Sequence, residues 1–313
     1  MREEILYELH SPYRESLKVH GFYFGQGTKT ACVVGALRGN EVQQMYVCAR
    51  LIEALKKLEA DGAIAEGQEI LVIPSVNHAS MNIGKRFWPI DDTDINRMFP
   101  GYNLGETTQR IAAGLFENIK GYQYGIQLTS FYMVGEIIPH VRILDLGYHN
   151  IELAKAFGMP YVMLRKPRPY DSTTLNYNWQ VWASNAFSLY TTHTEEFDTP
   201  EAMRMVDHIL GFLNHCGVLK YRKRPGYASH VVTDKNLVTV QTGISGLYRY
   251  FRNPGEVVHK GDLLAQVLDP FDASIREELF SPVDGTVFFR QKSHLINQNA
   301  VAFRLLEEHD GII

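Results

Sequence analysis

The 313-residue chain lacks any stretch approaching the ~20 consecutive apolar residues that a membrane-spanning helix requires. Its opening run, MREEILYELHSPYRESLKVHGF, mixes charge with scattered apolar side chains and never forms the apolar core of a signal peptide. A cytoplasmic location is therefore expected. Cysteine is scarce: Cys32, Cys48 and Cys216 are odd in number, far apart and never in Cys-x-x-Cys spacing, which excludes a disulfide framework and points to reduced thiols. Charge of either sign is not in excess, with 31 Lys and Arg against 35 Asp and Glu. Such a balance offers no overall basic surface for nucleic acid or an anionic membrane, so neither is expected as a partner. Self-association is left open.

Hydrophobic residues, by contrast, make up 45% of the chain, enough for more than one core, and 313 residues exceed a comfortable single core. The natural division is a larger domain over residues 1–217, a linker over 218–230 and a small domain over 231–313. In the first, apolar strand candidates at 30–36, 69–74, 124–129, 141–146, 161–164 and 186–192 alternate with helical patterns at 40–60, 104–119, 150–157 and 200–216. This alternation predicts an α/β sheet flanked by helices, with sites gathered in the loops at the strands' carboxyl ends. The basic, turn-rich run HCGVLKYRKRPGYASH reads as a solvated linker more readily than as an RNA patch. Beyond it, short strands punctuated by Gly, Pro, Asp and Asn predict a small all-β domain. Gly25-Gln-Gly27-Thr-Lys-Thr30 lacks the spacing of a phosphate loop and precedes its strand, so it reads as a plain turn.

The informative series is Gly35-Ala-Leu-Arg-Gly-Asn-Glu41, Asn77, Gly84-Lys-Arg-Phe-Trp-Pro89, Asp94-Ile-Asn-Arg-Met-Phe-Pro-Gly101, Gly105 and Arg110. In this order and spacing it resembles the succinylglutamate desuccinylase/aspartoacylase family, relatives of the zinc carboxypeptidases, over about residues 25–200. The resemblance implies a zinc-carboxypeptidase-like mixed sheet flanked by helices, followed by a small barrel-like β domain that narrows access to the pocket. It also implies a zinc-dependent deacylase whose metal is held by two His and one Glu, leaving a position open for an activated water.

Mapped residue by residue, the ligand positions carry Arg38, Glu41 and Thr129, so one family ligand survives. Arginine has no lone pair to donate and would repel a divalent metal. The Asp that precedes the last ligand by two residues is Gln127, and the general-base Glu is matched by Tyr190 in Ser188-Leu-Tyr190. A phenol, with an ordinary pKa of about 10, is a poor base at neutral pH. The resemblance implies a substrate-carboxylate clamp at Asn96 and Arg97, with Arg86 as a second anion-binding arginine. Arg38 either adds a further cation to that pocket or forms an internal salt bridge with Glu41 that fills a dead site.

His78, His140, His149 and His193 lie near these loops and could rebuild a metal site with Glu41 or Glu136, although a lone histidine is more often structural. The segment 170–182, YDSTTLNYNWQVW, reads as a long polar-aromatic loop that lines a pocket, forms a lid or makes an interface. The C-terminal runs at 253–262 and 281–287 resemble biotinyl/lipoyl hairpins. The turn where a carrier lysine would stand is Leu268-Asp-Pro-Phe-Asp272 and carries none.

Two readings follow. One is a member with a degenerate metal site that binds a small carboxylate, such as an N-acyl amino acid, needs no cofactor and does not hydrolyse it. The other is an active amide or ester hydrolase, an N-acyl amino acid deacylase with zinc in a rearranged site.

Overall fold

The structure, a computed structural model, describes residues 1–11, 15–147, 150–222 and 226–307. The chain divides into two compact units, one of Met1–Ser130 with His140–Ser229, the other of Phe131–Pro139 with the C-terminal residues from His230.

In chain order the strands are β1 (Arg2–Leu9), β2 (Leu17–Gly25), β3 (Gly27–Ala36), β4 (Gly67–Ser75), β5 (Tyr124–Thr129), β6 (Gly135–Ile137), β7 (His140–Leu144), β8 (Tyr161–Arg165) and β9 (Asn185–Tyr190). The helices are α1 (Val42–Ala60), α2 (His78–Met81), α3 (Thr107–Ile119), α4 (Ile151–Lys155), α5 (Leu175–Val181) and α6 (Thr199–His215). All of these except β6 belong to the first unit, whose sheet runs β1-β2-β4-β3-β5-β9-β7-β8. Its centre is parallel through β4, β3, β5 and β9, β7 turns antiparallel to β9, and β1-β2 form an antiparallel edge.

Alternate residues of the central strands feed two cores. Val33, Ile126 and Leu128 face α1 and α6 through Val47, Leu51 and Ile209, whereas Cys32 and Val34 face α3 and α5 through Ile111, Leu115 and Trp179. Because both faces are covered, β5 is buried at every position, Gln127 and Thr129 included.

Three features depart from the sequence reading. The charged N-terminal run forms β1 and β2, an edge hairpin whose outward positions carry Glu3, Glu4 and Glu8. Such an edge tolerates charge that obscures apolar alternation. The segment 170–182 is largely not a loop: it supplies a short 3₁₀ turn at Pro169–Asp171 and then α5. Its inward amides are satisfied by neighbours, with Gln180 Nε2 donating to Leu144 O at 2.9 Å and Asn178 Nδ2 to Ser172 O at 2.9 Å, so polar residues are buried where a loop was expected. Third, the described residues of the linker expected at 218–230 belong to the first unit up to Ser229. Val218 and Leu219 are buried, and Tyr227 N donates to Gly158 O at 2.9 Å.

Gly25 and Gly27 both have positive φ and join β2 to β3 as a turn. The second unit contains two antiparallel sheets around Tyr248, Leu264, Val267, Phe303 and Leu305. The boundaries read from sequence did not place β6 there. It pairs antiparallel with Phe289–Gln291, a three-residue strand too short to announce itself by pattern. The turn after Leu268 ends in Ala273 at positive φ and carries Phe271, 97% exposed, where a carrier domain would hold its lysine.

Candidate functional site

The site is assembled where β3, β5 and β9 end. After Ala36 the chain turns through Leu37-Arg38-Gly39-Asn40-Glu41 into α1. Gly39 is required here by close approach: its N donates to Arg86 O at 2.9 Å, and an added Cβ would lie 2.2 Å from Lys85 O. Glu41 occupies the N-cap position of α1 without capping it. Its carboxylate instead turns back into the loop, where Oε2 accepts from Leu37 N at 3.0 Å and Arg38 N at 3.1 Å. Oε1 accepts from Ser130 N at 2.9 Å, Ser130 Oγ at 2.7 Å and Arg38 Nη1 at 3.0 Å, and the Thr129 hydroxyl lies 3.4 Å away. The side chain is fully buried.

Arg38 is committed on all three nitrogens. Nη1 also donates to Thr129 Oγ1 at 3.1 Å, while Nε and Nη2 donate to Asp94 Oδ2 at 3.1 and 2.9 Å. Burial alone would lower its pKa, but Asp94 and Glu41 reverse that and raise it above the ordinary arginine value. The two carboxylates and the guanidinium thus form one buried ion triad. The internal salt bridge is the arrangement the structure contains; as a ligand-binding cation Arg38 is already spent.

Zinc, the metal that the resemblance implies, does not fit this set. Arg38 offers no lone pair, Thr129 offers a neutral hydroxyl, and both Glu41 oxygens are saturated by donors. Among the described residues no group of three His, Cys, Asp or Glu side chains is placed to hold a metal ion. His140 stacks parallel to Tyr190 at 4.6 Å, His193 lies just beyond β9, and His149 falls outside the described residues. Glu136 sits on β6 in the second unit, paired with Arg290.

The remaining expected residues are placed as follows. Asn96, 6% exposed, accepts from Leu175 N at 3.2 Å through Oδ1 and so ties the Ile95–Arg97 turn to α5. Arg97 is one third exposed and donates to Tyr170 O at 2.8 Å. Arg86, half-buried, reaches Asn40 Oδ1 at 3.4 Å, and burial, then the neighbouring Arg38, lower its pKa. Tyr190 pairs in register with Thr129 on one side and His140 on the other, and its hydroxyl accepts from Arg142 Nη1 at 2.7 Å. Gln127 lies one rung further in, level with Ser188, whose hydroxyl accepts from Asn176 Nδ2 at 2.9 Å.

Sequence reasoning missed Ser130, Asp94, Arg142 and Asp171 as participants. Asp94 was visible in the matched motif, and Arg142 alternates with His140 on β7, a period-two signal. Ser130 acts partly through its backbone N–H, which leaves no trace in sequence.

The sequence profile of the succinylglutamate desuccinylase/aspartoacylase catalytic domain matches residues 27–215, more than half of the chain, and the chain belongs to this family. The N-alpha-acetyl-L-2,4-diaminobutyric acid deacetylase of Halomonas elongata is 24% identical over 258 residues, covering 78% of this chain and 72% of that protein. The product-bound ectoine utilization protein EutE of Ruegeria pomeroyi superimposes with a TM-score of 0.82 at 20% identity, covering 98% of this chain and 95% of that one. A succinylglutamate desuccinylase from a Silicibacter species does so with a TM-score of 0.81 at 18% identity and the same coverage, 98% and 95%. At these identities the structural likeness shows the shared fold: a large mixed sheet with helices and C-terminal antiparallel sheets. No helix among the described residues is long and apolar enough to cross a membrane.

Proposed function

We propose that this chain is a family member with a degenerate metal site, which binds a small carboxylate such as an N-acyl amino acid and does not hydrolyse it by the metal-dependent route. The observation that carries this reading is the Arg38 guanidinium, bonded to Glu41 and Asp94 where the resemblance calls for a metal ligand. Family-type hydrolysis needs a metal-activated water and a base. Here a fixed cation stands in the first place, and a phenol held by Arg142 stands in the second.

Protein purified with zinc present should carry well below one equivalent by elemental analysis. A panel of N-acyl amino acids should raise the melting temperature with concentration, since a ligand of the native state stabilises it by mass action, and should show no turnover above background. Stoichiometric zinc beside Glu41, seen by anomalous scattering, would overturn the reading. A second reading, an active deacylase with a rearranged site, is favoured by the relative named as a deacetylase. Turnover lost in Glu41→Ala would select it.

A further inference from the structure

The sheet of the first unit has two sets of strand ends. β3, β5 and β9 run one way and finish beside Arg38 and Glu41, whereas β7 and β8 run the other way. His140 pairs with Tyr190 and Arg142 with Ser188, so the carboxyl end of β7 stands beside the amino end of β9. Ligand sites in open α/β sheets gather outside strand carboxyl ends where the direction changes. At this second end lies a cavity of about 250 Å³. Asn185, on its wall, precedes Tyr190 by a length of extended strand of roughly 17 Å.

The polar wall is built by α5 and the turn that follows it. Ala183 N donates to Gln180 O at 3.2 Å and Ser184 N to Trp179 O at 2.9 Å, closing the helix in a Schellman turn with Ala183 at φ 68°. This turn fixes Asn185 at the start of β9 and leaves Gln180 and Ser184 buried against the cavity. Ile143 and Phe187 add apolar surface, and Asn150, the N-cap of α4, is exposed. Asn150 Oδ1 accepts from Leu153 N at 2.9 Å, and Asn185 Nδ2 donates to Gln123 O at 3.5 Å. Asn150 therefore keeps its amide donors, and Asn185 its carbonyl acceptor, for a further partner. Among the described residues no charged side chain lines the cavity.

We propose that this cavity is a second ligand site, separate from the carboxylate site, and that it takes a neutral planar heterocycle of the nucleobase class. A charged ligand would leave water there without a counter-charge. A hydrocarbon would cover the Asn150 donors and the Asn185 acceptor without pairing them. Side-chain amides pair well with a base edge that carries donor and acceptor side by side, and a flat ring can lie along Ile143 and Phe187. The volume is below the roughly 300–1,000 Å³ of sites for drug-sized ligands, so it admits one ring system and leaves any attached sugar outside.

Calorimetric titration of the full chain with uracil, adenine, benzamidinium and toluene tests the site. The wild type is compared with Asn185→Leu, which keeps the side-chain size without its polar atoms, and with Asn150→Ser, which keeps an acceptor to cap α4 without the amide donors. At least one base should bind the wild type about tenfold or more tightly than benzamidinium or toluene. Asn185→Leu should weaken that base by about tenfold and tighten toluene, and Asn150→Ser should weaken the base severalfold. Binding of neither base, a base affinity unchanged in both variants, or toluene bound as tightly as either base would overturn the site. The melting-temperature response to N-acyl amino acids should be the same in Asn185→Leu as in the wild type; its loss there together with base binding would overturn the separation of the two sites.

Discussion

At Arg38 one guanidinium bridges two carboxylates drawn from separate loops, and the consequence for stability is direct. Removing one member of a buried ion pair leaves the others charged and unpaired, which costs about 3–5 kcal/mol. Arg38→Ala should lose an amount of that order in urea denaturation. Arg38→Lys should recover only part of it, because a point-charge ammonium cannot fork between Glu41 and Asp94. A smaller effect is expected at His78, half-buried, whose pKa is lowered by burial and then by His20. A histidine held below its ordinary value favours the neutral form in the folded state. Stability should therefore be full above about pH 6.5 and decline as the pH falls below it, and His78→Gln should flatten that slope in melting curves. The meeting of Arg38, Glu41 and Thr129 was legible in sequence because the matched motif fixes their order. Ser130, which completes their network, was not, since it contributes partly a backbone group, and neither was the Asp171 partner of Arg97, which lies 74 positions beyond it in a turn with no motif of its own.

Among the elements, α5 shows where pattern reading fails. Apart from the β1-β2 edge, the strands and long helices of the first unit announced themselves through apolar runs and helical spacing, and their observed bounds differ from the expected ones by a few residues at the ends. In α5 the inward face carries Asn176, Asn178 and Gln180 beside Trp179, so polarity and burial coincide and the apolar periodicity vanishes. Its anchor is Trp179, fully buried, whose Nε1 donates to Ile119 O at 3.0 Å. The ring lies against Gly125 of β5, where an added Cβ would come within 2.6 Å of ring carbons that cannot rotate away. Gly125→Ala should therefore destabilise by about 1–3 kcal/mol, read as a lowered denaturation midpoint, with the slope of the transition unchanged.

Across the whole molecule, the chain leaves the first unit after Ser130, contributes Phe131–Pro139 to the second, and returns at His140. Within the second unit β6 lies along Phe289–Gln291, Glu136 pairs with the buried Arg290, and Tyr132 OH accepts from Arg304 Nη2 at 2.7 Å. Glu136→Gln leaves Arg290 buried without its counter-charge and should destabilise by about 3–5 kcal/mol, detectable as loss of near-ultraviolet signal from Tyr250, whose ring lies 3.5 Å beneath that guanidinium. The compact unit thus includes Phe131–Pro139 besides the contiguous run from residue 231 that composition and turn spacing delimited, because a short insert has no period by which sequence could assign it.

The partners in this pairing, Glu136 and Arg290, stand 154 residues apart. On a ribosome adding about 5–20 residues per second, roughly 8–30 s separate the synthesis of β6 from that of the strand it completes. The β6 peptide must therefore wait through that interval before its ladder with Phe289–Gln291 can form.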